Sequence, residues 1–111
     1  MNSLKALLLL STVGIYVVTA LAISSGGWNW PAVYFGDVAA LSWRSQFNVD
    51  FLVHLALLAS WIFWREGSNL RGFAFGFLSV FLGGMFGFPY ILSAVYRAKG
   101  DPRRVLLGSH A

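Results

Sequence analysis

The chain of 111 residues is 58% hydrophobic and only 11% charged, with a formal net charge of +4 and no cysteine. A soluble domain of this size buries too little surface to hide so much apolar side chain. That argues against a soluble globular enzyme, a disordered linker and a nucleic-acid-binding module. Without cysteine, these residues form no disulfide, thiolate metal site or iron–sulfur cluster. The composition therefore predicts an all-α integral membrane protein.

Three apolar runs predict three transmembrane helices, at residues 6–23, 47–64 and 72–96. Each is close to the ~20 residues that a helix needs to cross ~30 Å of hydrocarbon. Turn-forming residues separate the runs, Ser24–Gly27 after the first and Glu66–Asn69 after the second. A cleaved secretory signal is an alternative for the first run, because small residues follow its apolar stretch. The run is longer than the ~7–15 residues of a usual signal core, so we expect a membrane span.

The segment before the second run is expected to hold a short helix. Pro31 suits the first position of a helix, and residues 31–43 are mostly apolar but too few to cross a bilayer. We predict that this segment lies in the membrane interface. Aromatic and basic residues near the ends of the runs are predicted to contact lipid headgroups, because their side chains join an apolar body to a polar tip. These headgroup anchors are Trp28, Trp30, Trp43, Trp61, Trp64, Arg65 and Arg97.

The basic residues favour no clear orientation if the chain crosses the membrane three times. Lys5, Arg65 and Arg71 would then lie on one side. The other side would hold Arg44, Arg97, Lys99, Arg103 and Arg104. This total favours a cytoplasmic tail at 97–111, whereas the flanks of the first two runs favour the opposite orientation. Because early helices often dominate, we expect the Lys5 side to face the cytoplasm.

The most distinctive polar feature is Asp50 and His54 in the second run. Four residues apart, they lie on one face of a helix, where an ionisable pair is costly unless it faces protein or water. A functional interpretation is a proton relay, a quinone contact or an axial ligand. A structural interpretation is that Asp50 satisfies Arg44 or free amides, while His54 bonds a neighbouring helix. No metal is expected, since the only other histidine, His110, lies in the tail.

A stripe of small residues marks the third run and predicts close helix packing. Its members recur every three or four residues: Gly72, Gly76, Ser79, Gly83 and Gly87. Packing against the first or second run is the simpler interpretation, and dimerisation or docking onto a larger membrane complex is the alternative. Pro89 predicts a kink in the same run, because it withdraws an N–H from the carbonyl of Met85. A neighbour or water must then bond that carbonyl.

Catalytic patterns are not found in the sequence. There is no nucleophile–base pair, paired carboxylate site, phosphate-binding loop or metal-spaced cluster. Arg65 and Glu66 at the exit of the second run are interpreted as an interfacial stop, with Arg65 reaching to the headgroups. We therefore predict neither an enzymatic activity nor a cofactor.

From Asp50 onward the chain resembles a family of small bacterial integral membrane proteins classed as a domain of unknown function. The resembling features are an early acidic residue in one span, the exit sequence Trp61–Gly67, a glycine-rich span, and the sequences Phe88–Leu92 and Tyr96-Arg97. Members often carry Asn-Pro shortly before the acidic residue, where this chain has Asn48-Val49. The resemblance implies a three-span protein of the bacterial cytoplasmic membrane and no particular activity.

We expect a structural, accessory or interaction subunit of the bilayer. Its partners would be membrane lipids and either a second copy or a larger membrane complex, with no nucleic acid. One alternative is a dimeric half-transporter with Asp50 and His54 at an intramembrane site. Another is a small redox subunit associated with a quinone or a pigment.

Overall fold

The computed structural model describes residues 2–111, which fold into six α-helices and one short 3-10 turn. The helices are α1 (Asn2–Gly26), α2 (Trp30–Ala39), α3 (Trp43–Arg65), α4 (Leu70–Leu82), α5 (Gly84–Arg97) and α6 (Pro102–Leu107), and the 3-10 turn is Gly108–His110. Residues 2–111 contain no strand, so the prediction of an all-α fold is confirmed.

The two longest helices, α1 and α3, contain the predicted spans 6–23 and 47–64. At 1.5 Å per residue, their 25 and 23 residues extend for ~37 and ~34 Å. By length and composition, both are able to cross a membrane. The start of α3 lies four residues before the predicted one, because Ser42 and Ser45 form a capping box. The Ser42 hydroxyl accepts a hydrogen bond from the Arg44 N–H, and the Ser45 hydroxyl accepts one from the Ser42 N–H.

The predicted interfacial segment at 31–43 covers α2 except for its first residue, Trp30, together with the turn that follows it and the first residue of α3. The helix ends at Ala39, because Leu41 adopts a left-handed φ of 50° that turns the chain into α3. α2 packs on the start of α3, where the Tyr34 hydroxyl donates to the Asn48 carbonyl at 3.2 Å. This contact fixes α2 at the end of the molecule where α3 begins.

The predicted third span at 72–96 is not one helix, because the chain breaks at Gly83 into α4 and α5. Gly83 has a φ of 58° and a ψ of −130°, a conformation that is available to glycine and strained for other residues. The 13 and 14 residues of these helices fall short of the ~20 needed to cross a bilayer. Helix α5 continues through Pro89, so the interruption lies six residues before the predicted kink.

α4 and α5 form a hairpin with Gly83 at its tip. The Phe75 ring of α4 lies 5.7 Å from the Phe86 ring and 5.9 Å from the Tyr90 ring of α5, measured between centroids. α4 is itself antiparallel to α3, and its last turn brings Gly83 against the Phe51 ring. The tip therefore reaches the level of Phe51, eight residues short of the start of α3.

α1 packs antiparallel to α5. The Lys5 ammonium lies 4.5 Å from the centroid of the Tyr96 ring, and the Tyr16 hydroxyl lies 2.9 Å from the Met85 carbonyl oxygen. These pairs are eleven residues apart on both helices, so the start of α1 meets the end of α5. Arg65 also donates to the backbone that follows α5, which brings the end of α3 to the same place.

Seven of the eight Lys and Arg residues consequently lie at one end of the molecule, called the basic end below. They are Lys5, Arg65, Arg71, Arg97, Lys99, Arg103 and Arg104. This distribution corrects the predicted one, in which the tail lay opposite Lys5, because the hairpin returns the chain to the end from which it started. Tyr96, which lies beside Lys5, is at the basic end for the same reason.

The buried core is small and lies near the basic end. Its members come from α1, α5 and α6 and the turn between the last two: Leu8, Ala94, Val95, Ala98 and Val105. Among residues 2–111, seven hydrophobic residues are buried and thirty large ones are exposed. Only 6% of the most apolar 18-residue window of α1 is buried, and 11% of that of α3. Most of the apolar surface of these two helices is therefore uncovered.

Candidate functional site

Asp50 and His54 contact each other on one exposed face of α3. The His54 Nδ1 lies 2.7 Å from the Asp50 carbonyl oxygen and 3.3 Å from its carboxylate Oδ1. Because a carbonyl oxygen only accepts, Nδ1 carries the proton and Nε2 is left without a partner in residues 2–111. The side chains are 70% and 55% exposed for His54 and Asp50. His54 lies eleven residues from either end of α3, at the middle of the helix.

This exposure differs from the expectation that the pair faces a neighbouring helix or Arg44. Arg44 instead lies 3.7 Å from the Asp37 carboxylate, and neither Asp50 nor His54 bonds another helix within the described part of the chain. The pair is exposed because of its angular position around the axis of α3. Leu55 and Ile62, which are buried, lie on the packed face of α3, whereas Asp50 and His54 point away from it.

The small residues predicted as a packing stripe lie along the contact of the α4–α5 hairpin with α3. A Cβ built on Gly72 would lie 2.8 Å from the Phe63 carbonyl oxygen, and one on Gly76 would lie 3.0 Å from that of Ala59. Ser79 is fully buried and donates to the Gly76 carbonyl at 2.6 Å. Backbones this close leave no room for a side chain.

The two remaining glycines of the stripe have different roles. Gly83 forms the tip of the hairpin, and a Cβ there would lie 3.2 Å from the Phe51 ring. Gly87 is buried beside Leu58, whose Cδ2 would lie 3.0 Å from a Cβ. The small residues are therefore divided between α4 and α5 and do not form one continuous face of a single helix.

Pro89 leaves a free carbonyl on Met85, and Tyr16 of α1 bonds it. In an uninterrupted helix the N–H of residue 89 would donate to this carbonyl, and proline has none. The Tyr16 hydroxyl donates to it instead, at 2.9 Å. The neighbour that the sequence requires is thus supplied by α1.

A polar cluster at the basic end, formed by Arg65, Glu66 and Tyr90, was missed by sequence reasoning. The Tyr90 hydroxyl donates to the Glu66 carboxylate at 2.5 Å, and an Arg65 Nη donates to the same hydroxyl at 3.0 Å. Arg65 and Glu66 are only 12% and 15% exposed. Their adjacency at a helix end is the one signal in the sequence, and it gives no indication of a tyrosine 25 residues later.

Arg65 also holds the segment that follows α5. Its Nε donates to the Val105 carbonyl at 2.7 Å and its Nη2 to the Arg104 carbonyl at 3.3 Å. The predicted headgroup anchor is therefore a structural residue with little exposed surface. Arg97, predicted for the same role, is exposed and has no ion pair or side-chain hydrogen bond in residues 2–111.

The predicted basic tail at 97–111 is folded against α3. The Trp61 indole N–H donates to the Leu106 carbonyl at 3.0 Å, and the His110 ring stacks on the Trp64 ring at 4.1 Å. Both tryptophans predicted as anchors at this end thus hold the tail. At the opposite end the other predicted anchors are exposed: Trp28, Trp30 and Trp43.

The chemistry available to these groups is limited. Residues 2–111 bring together no three His, Asp or Glu side chains that could hold a metal ion. Asp50 and His54 can exchange protons and form hydrogen bonds at the surface, whereas the Arg65 cluster is engaged within the fold. Comparison of the chain with protein-family models, with curated proteins and with solved structures finds no match.

Proposed function

We propose that this chain is an integral membrane protein that crosses the bilayer twice, through α1 and α3. The observation that carries the proposal is the uncovered apolar surface of both helices, each long enough to span ~30 Å. A core helix of a soluble protein would be mostly buried, and a signal sequence would explain α1 but not α3. Membrane lipids then cover these faces.

In this arrangement α4 and α5 form a re-entrant hairpin, which enters from the basic end and returns to it. Interrupted backbone at membrane depth is tolerated where protein buries it, and Gly83 is buried against Phe51. Seven of eight basic residues then lie on one side. The excess of Lys and Arg in cytoplasmic segments orients the basic end toward the cytoplasm, which in a bacterium is the inner side of the cytoplasmic membrane.

Single cysteines test this topology cleanly, because the chain has none of its own. Ser3→Cys, Ser68→Cys and Ala111→Cys are expected to react with a membrane-impermeant maleimide only in inside-out vesicles. Ser42→Cys is expected to react only in right-side-out vesicles. Three complete spans instead require Ala111→Cys to be labelled together with Ser42→Cys, a result that would overturn the hairpin.

As to function, we propose that the protein is an interaction subunit that pairs with a second copy through α3. The exposed Asp50 and His54 carry this proposal, since an ionisable pair at the middle of a spanning helix is costly against lipid. The face is self-complementary. When the imidazole is protonated, the free Nε2–H of one copy can donate to the carboxylate of the other, and a two-fold axis makes that contact twice.

Disulfide trapping in native membranes tests the pairing. Leu57 lies one turn beyond His54 on the same exposed face, so Leu57→Cys is expected to cross-link two copies. Leu10→Cys, on an equally exposed face of α1, is the matched control and is expected to remain monomeric. Asp50→Asn should reduce the cross-linked fraction, and Ser60→Ala on the same helix should not. Equal cross-linking of both cysteine variants contradicts a specific α3 interface.

A half-transporter is a second candidate, favoured by the interrupted backbone at Gly83. Transporters place their sites near the bilayer midplane at broken helices, and here the break at Gly83 contacts Phe51, the residue that follows Asp50 in the chain. Proteoliposomes with an internal pH-sensitive dye and a potassium diffusion potential would report proton flux. Flux that Asp50→Asn abolishes and Ser60→Ala leaves unchanged supports transport, whereas no flux above that of empty vesicles removes this candidate.

A further inference from the structure

A cleft with a basic mouth and an apolar interior lies between α1, α4 and α5. Its inner part has a volume of about 350 Å³, and it continues into a wider depression of about 510 Å³ at the basic end. Both parts are lined by Arg65, Glu66, Arg71 and Arg97. The cleft is a place where charge and apolar surface meet within one cavity, which is the pattern of an amphiphile site.

The mouth carries two arginines that the fold leaves available. Arg65 is engaged by backbone carbonyls and largely offsets the neighbouring Glu66 charge. Arg71 is 60% exposed, and its Nε lies 3.8 Å from the Glu66 carboxylate, too far for a hydrogen bond. Arg97 is exposed and has no ion pair in residues 2–111. The mouth is therefore net positive and complementary to an anion.

The interior of the cleft is apolar. Its walls come from α4 and α5, with Phe75, Leu82, Phe86 and Pro89, and Tyr16 of α1 closes the far side. From Arg97 to Phe86 the cleft follows α5 for eleven residues, ~16 Å. A free anion would use the mouth alone, whereas a molecule with a hydrocarbon chain would use the whole length.

We propose that this cleft binds an anionic membrane lipid. Its phosphate lies between Arg71 and Arg97, and one acyl chain lies along Phe86 and Pro89. The site rests on the proposed topology, which puts the mouth at the cytoplasmic headgroup level, where anionic lipids attract basic residues. The binding itself is measurable on the purified protein, so it can fail without the topology failing.

Native mass spectrometry of the protein in neutral detergent tests the site, with phosphatidylglycerol and phosphatidylcholine of identical chains as probes. Phosphatidylglycerol is expected to bind at least about tenfold more tightly, which corresponds to ~1.4 kcal/mol, because phosphatidylcholine carries a trimethylammonium group that offsets its phosphate charge and is repelled by the two arginines. The double variant Arg71→Gln/Arg97→Gln should lose this preference. Arg103→Gln is the matched control, since Arg103 is exposed at the same end on α6 and outside the cleft.

A second variant addresses the chain-binding part. Ser93 lines the inner cleft, and Ser93→Leu is expected to weaken phosphatidylglycerol binding by filling space while leaving both arginines in place. Helical circular dichroism verifies that each variant is folded. Equal binding of the two lipids, an equal loss in Arg103→Gln, or displacement of the lipid by millimolar inorganic phosphate would overturn the proposal.

Discussion

The Tyr16 hydroxyl of α1 donates a hydrogen bond to the Met85 carbonyl of α5, which is the carbonyl that Pro89 leaves without a backbone donor. Proline in a helix normally costs ~3 kcal/mol or more, in part through this lost bond. The Tyr16 hydroxyl takes the place of the missing backbone donor. Its hydrogen bond offsets part of the free-energy cost of the proline and joins α1 to α5. Tyr16 and Pro89 are therefore coupled although they are 73 positions apart.

We expect Tyr16→Phe to lower the free energy of unfolding by about 1 kcal/mol, because the Met85 carbonyl then has no donor. In a Pro89→Ala background the same substitution should cost less than half as much. Alanine at this position restores a backbone N–H, which can bond the Met85 carbonyl from within α5. The unmodified protein, the two single variants and the double variant form a double-mutant cycle. The stability of each is measured by denaturation with sodium dodecyl sulfate in mixed micelles, followed by circular dichroism.

Additive losses in that cycle would show that the two residues are independent. A control substitution is Tyr34→Phe, which removes a hydroxyl bond to a carbonyl of α3 on the other side of the molecule. Its cost should be the same with and without Pro89, since Tyr34 contacts neither α1 nor α5 through that bond.

The packing of α4 on α3 gives a second prediction. Gly72→Ala is expected to destabilise the protein by about 1–3 kcal/mol, because its Cβ would lie 2.8 Å from a backbone oxygen of α3 that cannot move aside easily. Gly76→Ala, at 3.0 Å, should act in the same direction. The midpoint of denaturation in mixed micelles reports both effects.

Gly14→Ala is the matched control for the α4 glycines. Gly14 lies inside α1, and a Cβ there meets no atom within 4 Å. Alanine is a better helix former, so stability should be unchanged or slightly higher. A loss in Gly14→Ala as large as that in Gly72→Ala would mean that contact with α3 is not the cause.

The two arginines that flank α3 give a third prediction. Arg65→Gln is expected to cost about 2–4 kcal/mol, because it frees the Val105 and Arg104 carbonyls and removes the nearer of the two cations beside Glu66. Arg44→Gln removes a pair whose arginine is 70% exposed, and its cost should stay below ~1 kcal/mol. Equal losses for the two would contradict a structural role for Arg65. Faster proteolysis of the tail in Arg65→Gln would show that the tail is released.

The sequence predicted two of the helices well and the third poorly, for physical reasons. Hydrophobic runs identify 6–23 and 47–64 because the pattern is continuous and the ends carry turn residues. Residues 72–96 show the same continuity, and hydropathy does not detect a change of direction. Only the backbone of Gly83 distinguishes a hairpin from a span, and the Gly83-Gly84 pair in the sequence is the one local sign of it.

The candidate sites divide in the same way. Periodicity placed Asp50 and His54 on a common face, but it does not say which face of α3 the hairpin covers, since that depends on the path of α4. The Arg65 cluster depends on the return of α5, which brings Tyr90 to Glu66. A continuous third span would carry Tyr90 toward the opposite end of the molecule, so the cluster could not be predicted without the hairpin.

The hairpin tip gives a last prediction. Gly83→Ala should destabilise the protein by about 1–3 kcal/mol, because alanine is strained at this backbone conformation and its Cβ would lie 3.2 Å from the Phe51 ring. Gly27→Ala has a similarly positive φ of 78° but meets no atom within 4 Å, so it isolates the backbone strain. Gly83→Ala should lower the free energy of unfolding more than Gly27→Ala does, and the difference between the two losses measures the contact with α3. In a Phe51→Ala background this difference should disappear. If the difference persists in the Phe51→Ala background, the tip is not held by α3, and a hairpin packed at the level of Phe51 is contradicted.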